Sequence, residues 1–268
     1  MMTLQLVSEV TSVSVRSDWM VNSALTMGLG VMIASLDELY HSELFFLPVM
    51  DENARLVGLE IIATFAAEDG AVRMPTELVA PRLSVEEQYC LFVEKLALLE
   101  TCQHFFIQHK LIAWLNLPPA ISDLLLLDSE LFSRAARFPF FEVAINENYP
   151  GLNQGKNNET LANLAMHFPL ILANFGAGEA STKAIFDGLF KRVMLDKNFI
   201  QQRAEMISFE PFMHAIVAQI SSSCESLMIA GIDTEAMFAR AAPLGFSAFQ
   251  GGLWPPVPVS QLIKLVQR

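Results

Sequence analysis

The sequence predicts an α/β fold, a TIM-like (β/α)8 barrel, on three observations. Short apolar runs alternate with stretches whose apolar residues recur at helical spacing, the pattern of βαβ units around a parallel sheet. Roughly eight such runs fall within about 235 residues, the size of one barrel of this kind. The hydrophobic fraction is 53% and the mean hydropathy +0.39, as expected of strands buried on both faces.

Residues 1–31 stand apart, with Ser, Thr and Val mixed, few charges and no period. They read either as a flexible extension or as a leader ahead of a true start at Met32, and the barrel unit is assigned to residues 32–268. Phe45–Met50 and Leu56–Thr64 are apolar runs joined by Asp51-Glu52-Asn53, a hairpin connection. Ser84 opens a helix with a capping-box spacing to Glu87, followed by a buried stripe from Val85 to Leu99. Leu111–Leu117 is the next strand, closed by Pro118 and Pro119. Then come a helix over Leu124–Ala136, a strand over Phe140–Ile145, a helix over Glu159–Phe168 and a strand over Leu170–Asn174. The expected order continues with a helix Ser181–Lys191, a strand Arg192–Asp196 and the longest helix around Phe209–Ser221. A strand Ser226–Ala230, a helix Thr234–Ala242, a strand Phe246–Gln250 and a last segment Val259–Val266 complete the chain. Apolar helix positions such as Leu124–Leu127 read as core rather than interface.

Formal net charge is −12, from 29 acidic against 17 basic residues. An acidic surface repels phosphate backbones, so direct nucleic-acid binding is disfavoured. No apolar run reaches the roughly 20 residues that cross a bilayer; Ala24–Leu36 is too short and is broken by Gly28 and Gly30. No basic leader, apolar stretch and small-residue cleavage site follow one another at the start, so no secretory signal is expected. Cys90, Cys102 and Cys224 show no C-x-x-C spacing, which points to a reducing cytoplasm and away from disulfides or zinc.

Six polar residues lie in or just after strands: Glu60, Asn116, Glu142, Asp196, Asp233 and Gln250. In a barrel they converge on one face, where carboxylates and amides suit a hard divalent ion. The alternative is that each caps a strand or bonds loop backbone. His104 and His109, five apart on a helix, are poorly aligned for a shared metal. Ser221–Cys224 reads as a polar helix end, with no base in sequence to make Cys224 a nucleophile, and Trp254 as a residue of the barrel rim.

Seven segments in order resemble the EAL domain, the barrel phosphodiesterase that linearises cyclic di-GMP. G-L-E-I-I at Gly58–Ile62 is similar to the segment holding E-A-L, and L-N-L-P-P at Leu115–Pro119 to N-L-S-P. F-E-V at Phe141–Val143 stands for E-L-T-E, and A-N-F-G-A-G at Ala173–Gly178 for D-D-F-G-T-G. M-L-D-K-N-F at Met194–Phe199 resembles K-I-D-x-x-F. A-G-I-D-T-E at Ala230–Glu235 stands for E-G-V-E-T, and Q-G-G-L-W-P-P at Gln250–Pro256 for the terminal motif. The resemblance runs from about Phe45 to the end of the chain.

What the resemblance implies about chemistry is mostly loss. Glu60, Asn116 and Glu142 keep three ligands of one metal, while the paired aspartates are Ala173 and Asn174. The lysine beside the attacking water is Met194, the two glutamates of E-G-V-E-T are Ala230 and Asp233, and the phosphate-binding arginine is Thr64. Alanine has no ligand atom, asparagine offers a neutral oxygen and methionine carries no charge. The expectation is therefore a protein without catalytic residues, metal or cofactor. It resembles a branch of the family that binds FlhD of the FlhD–FlhC flagellar activator, keeps it off DNA and represses motility. The alternatives are a residual phosphodiesterase resting on Glu60, Asn116, Glu142 and Gln250, and a cyclic di-GMP receptor. The loss of arginine at Thr64 and of lysine at Met194 argues against the receptor.

Overall fold

The hairpin read from the sequence is the seam of the barrel. A computed structural model describes residues 33–35, 39–67, 73–178 and 182–267; the expectation for residues 1–31 lies outside them. β1 (Ile33–Ser35) pairs antiparallel with β2 (Leu39–Met50), and β2 pairs antiparallel with β3 (Leu56–Ala67) from Tyr40 to Met50. β4 (Arg73–Pro75) lines the outer part of β3.

From β3 the sheet runs parallel through β5 (Ile112–Asn116), β6 (Phe141–Asn146), β7 (Leu170–Phe175), β8 (Arg192–Leu195), β9 (Ser226–Ile229) and β10 (Ala248–Phe249). The pairing of Phe249 with Met50 returns to β2 and closes eight strands into a barrel. One strand of the eight is therefore reversed.

The helices are α1 (Thr76–Val79), α2 (Val85–His109), α3 (Pro119–Leu127), α4 (Ser129–Ala136), α5 (Glu159–His167), α6 (Lys183–Phe186), α7 (Lys197–Gln201), α8 (Phe209–Ile220) and α9 (Glu235–Ala241). Ser84 caps α2 through the expected reciprocal bonds with Glu87. Among the described residues α2, at 25 residues, is the longest helix, not α8 at 12. The stripe expected as far as Leu99 continues through Cys102 and Phe106.

The single helix expected over Leu124–Ala136 is two. Asp128 is extended, and its carboxylate accepts from Glu130 N and Leu131 N, capping α4. Leu125 is core, but Leu127 is 81% exposed. The helix expected over Ser181–Lys191 is one short piece, α6, ended by Gly188 at φ +71°.

Among the described residues two large layers of apolar side chains build the barrel, beside a smaller cluster around Phe65, Val79 and Leu91. Outward-facing strand residues such as Leu59, Leu115, Val143 and Leu172 pack beneath the helices with Phe92, Leu96 and Phe106. The barrel lumen holds Val49, Trp114, Ala144, Ile171, Ala173, Met194, Met228, Ala230 and Ala248. Trp114 crosses the space that a Cβ at Gly58 would occupy, so that strand position accepts only glycine.

Candidate functional site

The ends of the parallel strands carry the residues from which chemistry would be built. Glu60 on β3 accepts a 2.9 Å hydrogen bond from Gln250 Nε2, which lies just past β10. Asn116 is the last residue of β5 and pairs in register with Ala144 of β6. Ala144, Ala173, Met194 and Ala230 belong to the same buried apolar layer. Asn174 follows at φ +59°, a left-handed conformation that asparagine tolerates better than most residues. Its carbonyl accepts from Ala177 N, so it makes a turn.

The two aspartates serve backbone and loops. Asp196 is buried and caps α7 by accepting from Phe199 N at 2.8 Å. Asp233 is exposed, accepting from Gly252 N at 2.7 Å and from Gln201 Nε2 at 2.6 Å. Thr64 lies on the part of β3 that pairs with β2 and β4, opposite Glu43 and Pro75. Its hydroxyl is buried with no hydrogen-bond partner among the described residues.

Glu142 does not join this group. It is the second residue of β6 and pairs with Trp114, two residues before Asn116. There its carboxylate accepts from Trp114 Nε1 and Arg192 Nε, both at 2.8 Å, forming an ion pair inside the lumen. The inward residues nearer the strand end are Ala144 and Asn146, and Asn146 pairs with Ala173. The segment A-I-N-E at Ala144–Glu147 therefore occupies the place expected of F-E-V, and its first position has no ligand atom.

Glu147 is the functional-face carboxylate that sequence reasoning missed. It is buried just past β6, and its two oxygens accept from Gly176 N at 3.1 Å and Gly178 N at 2.8 Å. It thus clamps the glycine turn after β7. The signal was available, since A-I-N-E ends on a glutamate with the spacing of E-L-T-E.

These residues do not fit the divalent ions that the fold implies. Glu60, Asp196 and Asp233 already bond neighbouring groups, and three strand-end positions are alanines. Among the described residues no group of three or more His, Cys, Asp or Glu could hold a metal ion. His104 is exposed on α2, and His109 packs its ring 4.8 Å from Phe105. Cys224 donates to Ile220 O, and burial pushes its thiol pKa up, away from a reactive thiolate. Trp254 is buried against Phe238. No helix among the described residues is long and apolar enough to cross a membrane.

Residues 34–256 match the EAL domain family. The anti-FlhC(2)FlhD(4) factor YdiV of Salmonella typhimurium is 99% identical over 237 residues, which cover 88% of this chain and 100% of that protein. The protein of the same name from Salmonella arizonae is 94% identical over the same shares. The crystal structure of the EAL-like domain protein YdiV, 52% identical, superposes with a TM-score of 0.78 over 85% of this chain and 97% of that one.

Proposed function

The chain belongs to the EAL domain family, and we propose that within it this protein is a catalytically inactive regulator acting by binding the FlhD subunit of the FlhD–FlhC activator. Binding keeps the activator off DNA and represses flagellar genes and motility. The name of the 99% identical Salmonella protein, an anti-FlhC(2)FlhD(4) factor, supports the partner. The loss of catalysis is carried by one observation, the apolar layer of Ala144, Ala173, Met194 and Ala230 at the strand ends.

Cleaving a phosphate diester requires charge to activate water and to hold the developing oxyanions, and losing even one such group commonly costs a few kcal/mol of barrier. Four positions at this barrel mouth offer no charge at all. Alanines also spare the lumen the repulsion of carboxylates crowded together without a counter-ion. The residues in the vestigial positions hold the scaffold, and none is assigned a catalytic, cofactor or metal role.

A net charge of −12 repels a phosphate backbone. The protein therefore acts on the activator and not on the promoter. We assign this function to the barrel unit, residues 32–268, and place it in the cytoplasm beside its partner, in keeping with three free cysteines.

The test is a mobility-shift assay with FlhD–FlhC and promoter DNA, run alongside a cyclic di-GMP hydrolysis assay in Mg²⁺ or Mn²⁺. Added protein is expected to abolish the shift and to leave the nucleotide intact. An undiminished shift at high excess overturns the partner. Hydrolysis that disappears in Glu60→Ala overturns the loss of catalysis.

A further inference from the structure

The barrel has another concave surface, at the end opposite Ala173, Met194 and Ala230. A groove of about 690 Å³ runs across the segments that lead into β7, β8 and β9: Ala165 to Leu170, Gly188 to Lys191 and Ser222 to Glu225. Its size is that of a small-molecule site. The three segments are tied together, since Lys191 N donates to Leu170 O and Glu225 N to Lys191 O, both at 2.8 Å.

The groove is rich in hydrogen-bond acceptors. α5 ends in it, and the last carbonyls of a helix carry partial negative charge and have no donor within the helix. Phe168 N turns back to Leu164 O, but Pro169, four residues after Ala165, has no N–H for the next carbonyl. α8 and the turn Ser221–Ser223 that follows it end there as well, bringing the hydroxyls of Ser222 and Ser223. Glu225 adds a carboxylate. Against these stand Lys191, whose ammonium lies 3.4 Å from Glu225, and the imidazole of His167, set edge-on to Phe132.

We infer that this groove binds a linear aliphatic polyamine, a chain of methylenes carrying ammonium groups. The acceptors are strung along the groove, with apolar Met166 and Leu189 among them. A small divalent ion needs several anionic oxygens at one point, and among the described residues no three His, Cys, Asp or Glu gather for one. An anion would meet helix carbonyls and Glu225 on a chain of net charge −12. Lys191 already shows how the ligand is held: its four methylenes end in an ammonium paired with Glu225. A polyamine competes with Lys191 for that carboxylate.

The experiment is isothermal titration calorimetry of the full chain with spermidine at about physiological ionic strength. It compares the unmodified protein with Glu225→Gln, Glu225→Lys, Lys191→Gln and Glu86→Gln. Glu225 and Lys191 have side chains 68% and 35% exposed, so their replacement spares the core. Glu86 is the control, exposed on the first turn of α2. One site is expected, weakened about threefold in Glu225→Gln, lost in Glu225→Lys and unchanged in Glu86→Gln. Lys191→Gln removes the competing ammonium and is expected to bind more tightly. Absence of binding overturns the inference. So does an equal loss in Glu86→Gln, which marks attraction to the whole acidic surface, or unchanged or weaker binding by Lys191→Gln. None of these results bears on the proposed function.

Discussion

Glu142 gives the sharpest test of how the barrel is held together. Its side chain is 5% exposed and that of its partner Arg192 16%, and the same carboxylate oxygen accepts from Trp114 Nε1. Glu142→Ala leaves a guanidinium in the lumen without its counter-charge and an indole N–H without an acceptor. Removing one member of a buried pair costs roughly 3–5 kcal/mol, and the residual exposure of Arg192 places this case at the lower end. The orphaned indole adds about 1 kcal/mol. A loss near 4 kcal/mol in a domain of this size lowers Tm by roughly 8–16 °C. The assay is thermal unfolding followed by far-UV circular dichroism. The paired replacement Glu142→Leu with Arg192→Met removes both charges and should recover most of the loss. If Glu142 were a relic of a metal site, its removal would relieve repulsion and leave Tm unchanged or raised. A fall of less than about 3 °C in Glu142→Ala would therefore refute the ion-pair reasoning.

Other perturbations reach other parts of the molecule. Glu147→Ala frees the amides of Gly176 and Gly178, and their hydrogen exchange should quicken by about tenfold or more, since bonds to a charged acceptor contribute about 1.5–3 kcal/mol. Met194→Lys places an ammonium in the apolar layer with Ala173 and Ala230; urea unfolding should show about 2 kcal/mol or more of lost stability, and hydrolysis of cyclic di-GMP should stay absent. The Arg240 hydrogen bond holds the Glu210 carboxyl below its ordinary value of 4.5. Its contribution is therefore full above that value and is lost as pH falls through the lower folded-state value. Glu210→Gln should narrow the gap between urea midpoints at neutral pH and at about pH 3.5.

The barrel was legible because its signal is repetitive: apolar runs bounded by turn residues recur in order, and the hairpin at Asp51–Asn53 marks where the regularity begins. What escaped was phase and length. β6 reads F-E-V-A-I-N with its first five residues buried, so no polar alternation indicates which side chains face the lumen or how far along the barrel they lie. Glu142 was therefore read as the strand-end carboxylate and Glu147 passed over, and the register with β5 and β7 is what separates them. Asp128 hid a helix boundary because it continues a run that is helical on both sides, and only its cap bonds reveal the break. Asp196 follows β8 directly and Asp233 lies in the loop after β9, and their service to backbone amides depends on loops folding back. The lost positions Ala173, Met194 and Ala230 were readable by resemblance alone, and the structure adds that they pack together.

The reversal of β2 also sets the timing of assembly. Its long ladder with β3 joins neighbours in sequence and can form as soon as both have left the ribosome. Beyond the start of β2, which β1 covers, the other edge is completed by β10, where Met50 pairs with Phe249, and by the tail, with Phe46 against Val257. Nearly the whole chain must be synthesised before that edge is covered. Until then the nascent sheet has two open margins, β2 and β9, able to pair with other chains. A ribosome stalled before Ala248 would release an unclosed sheet prone to aggregate, and the final twenty or so residues decide whether a barrel exists.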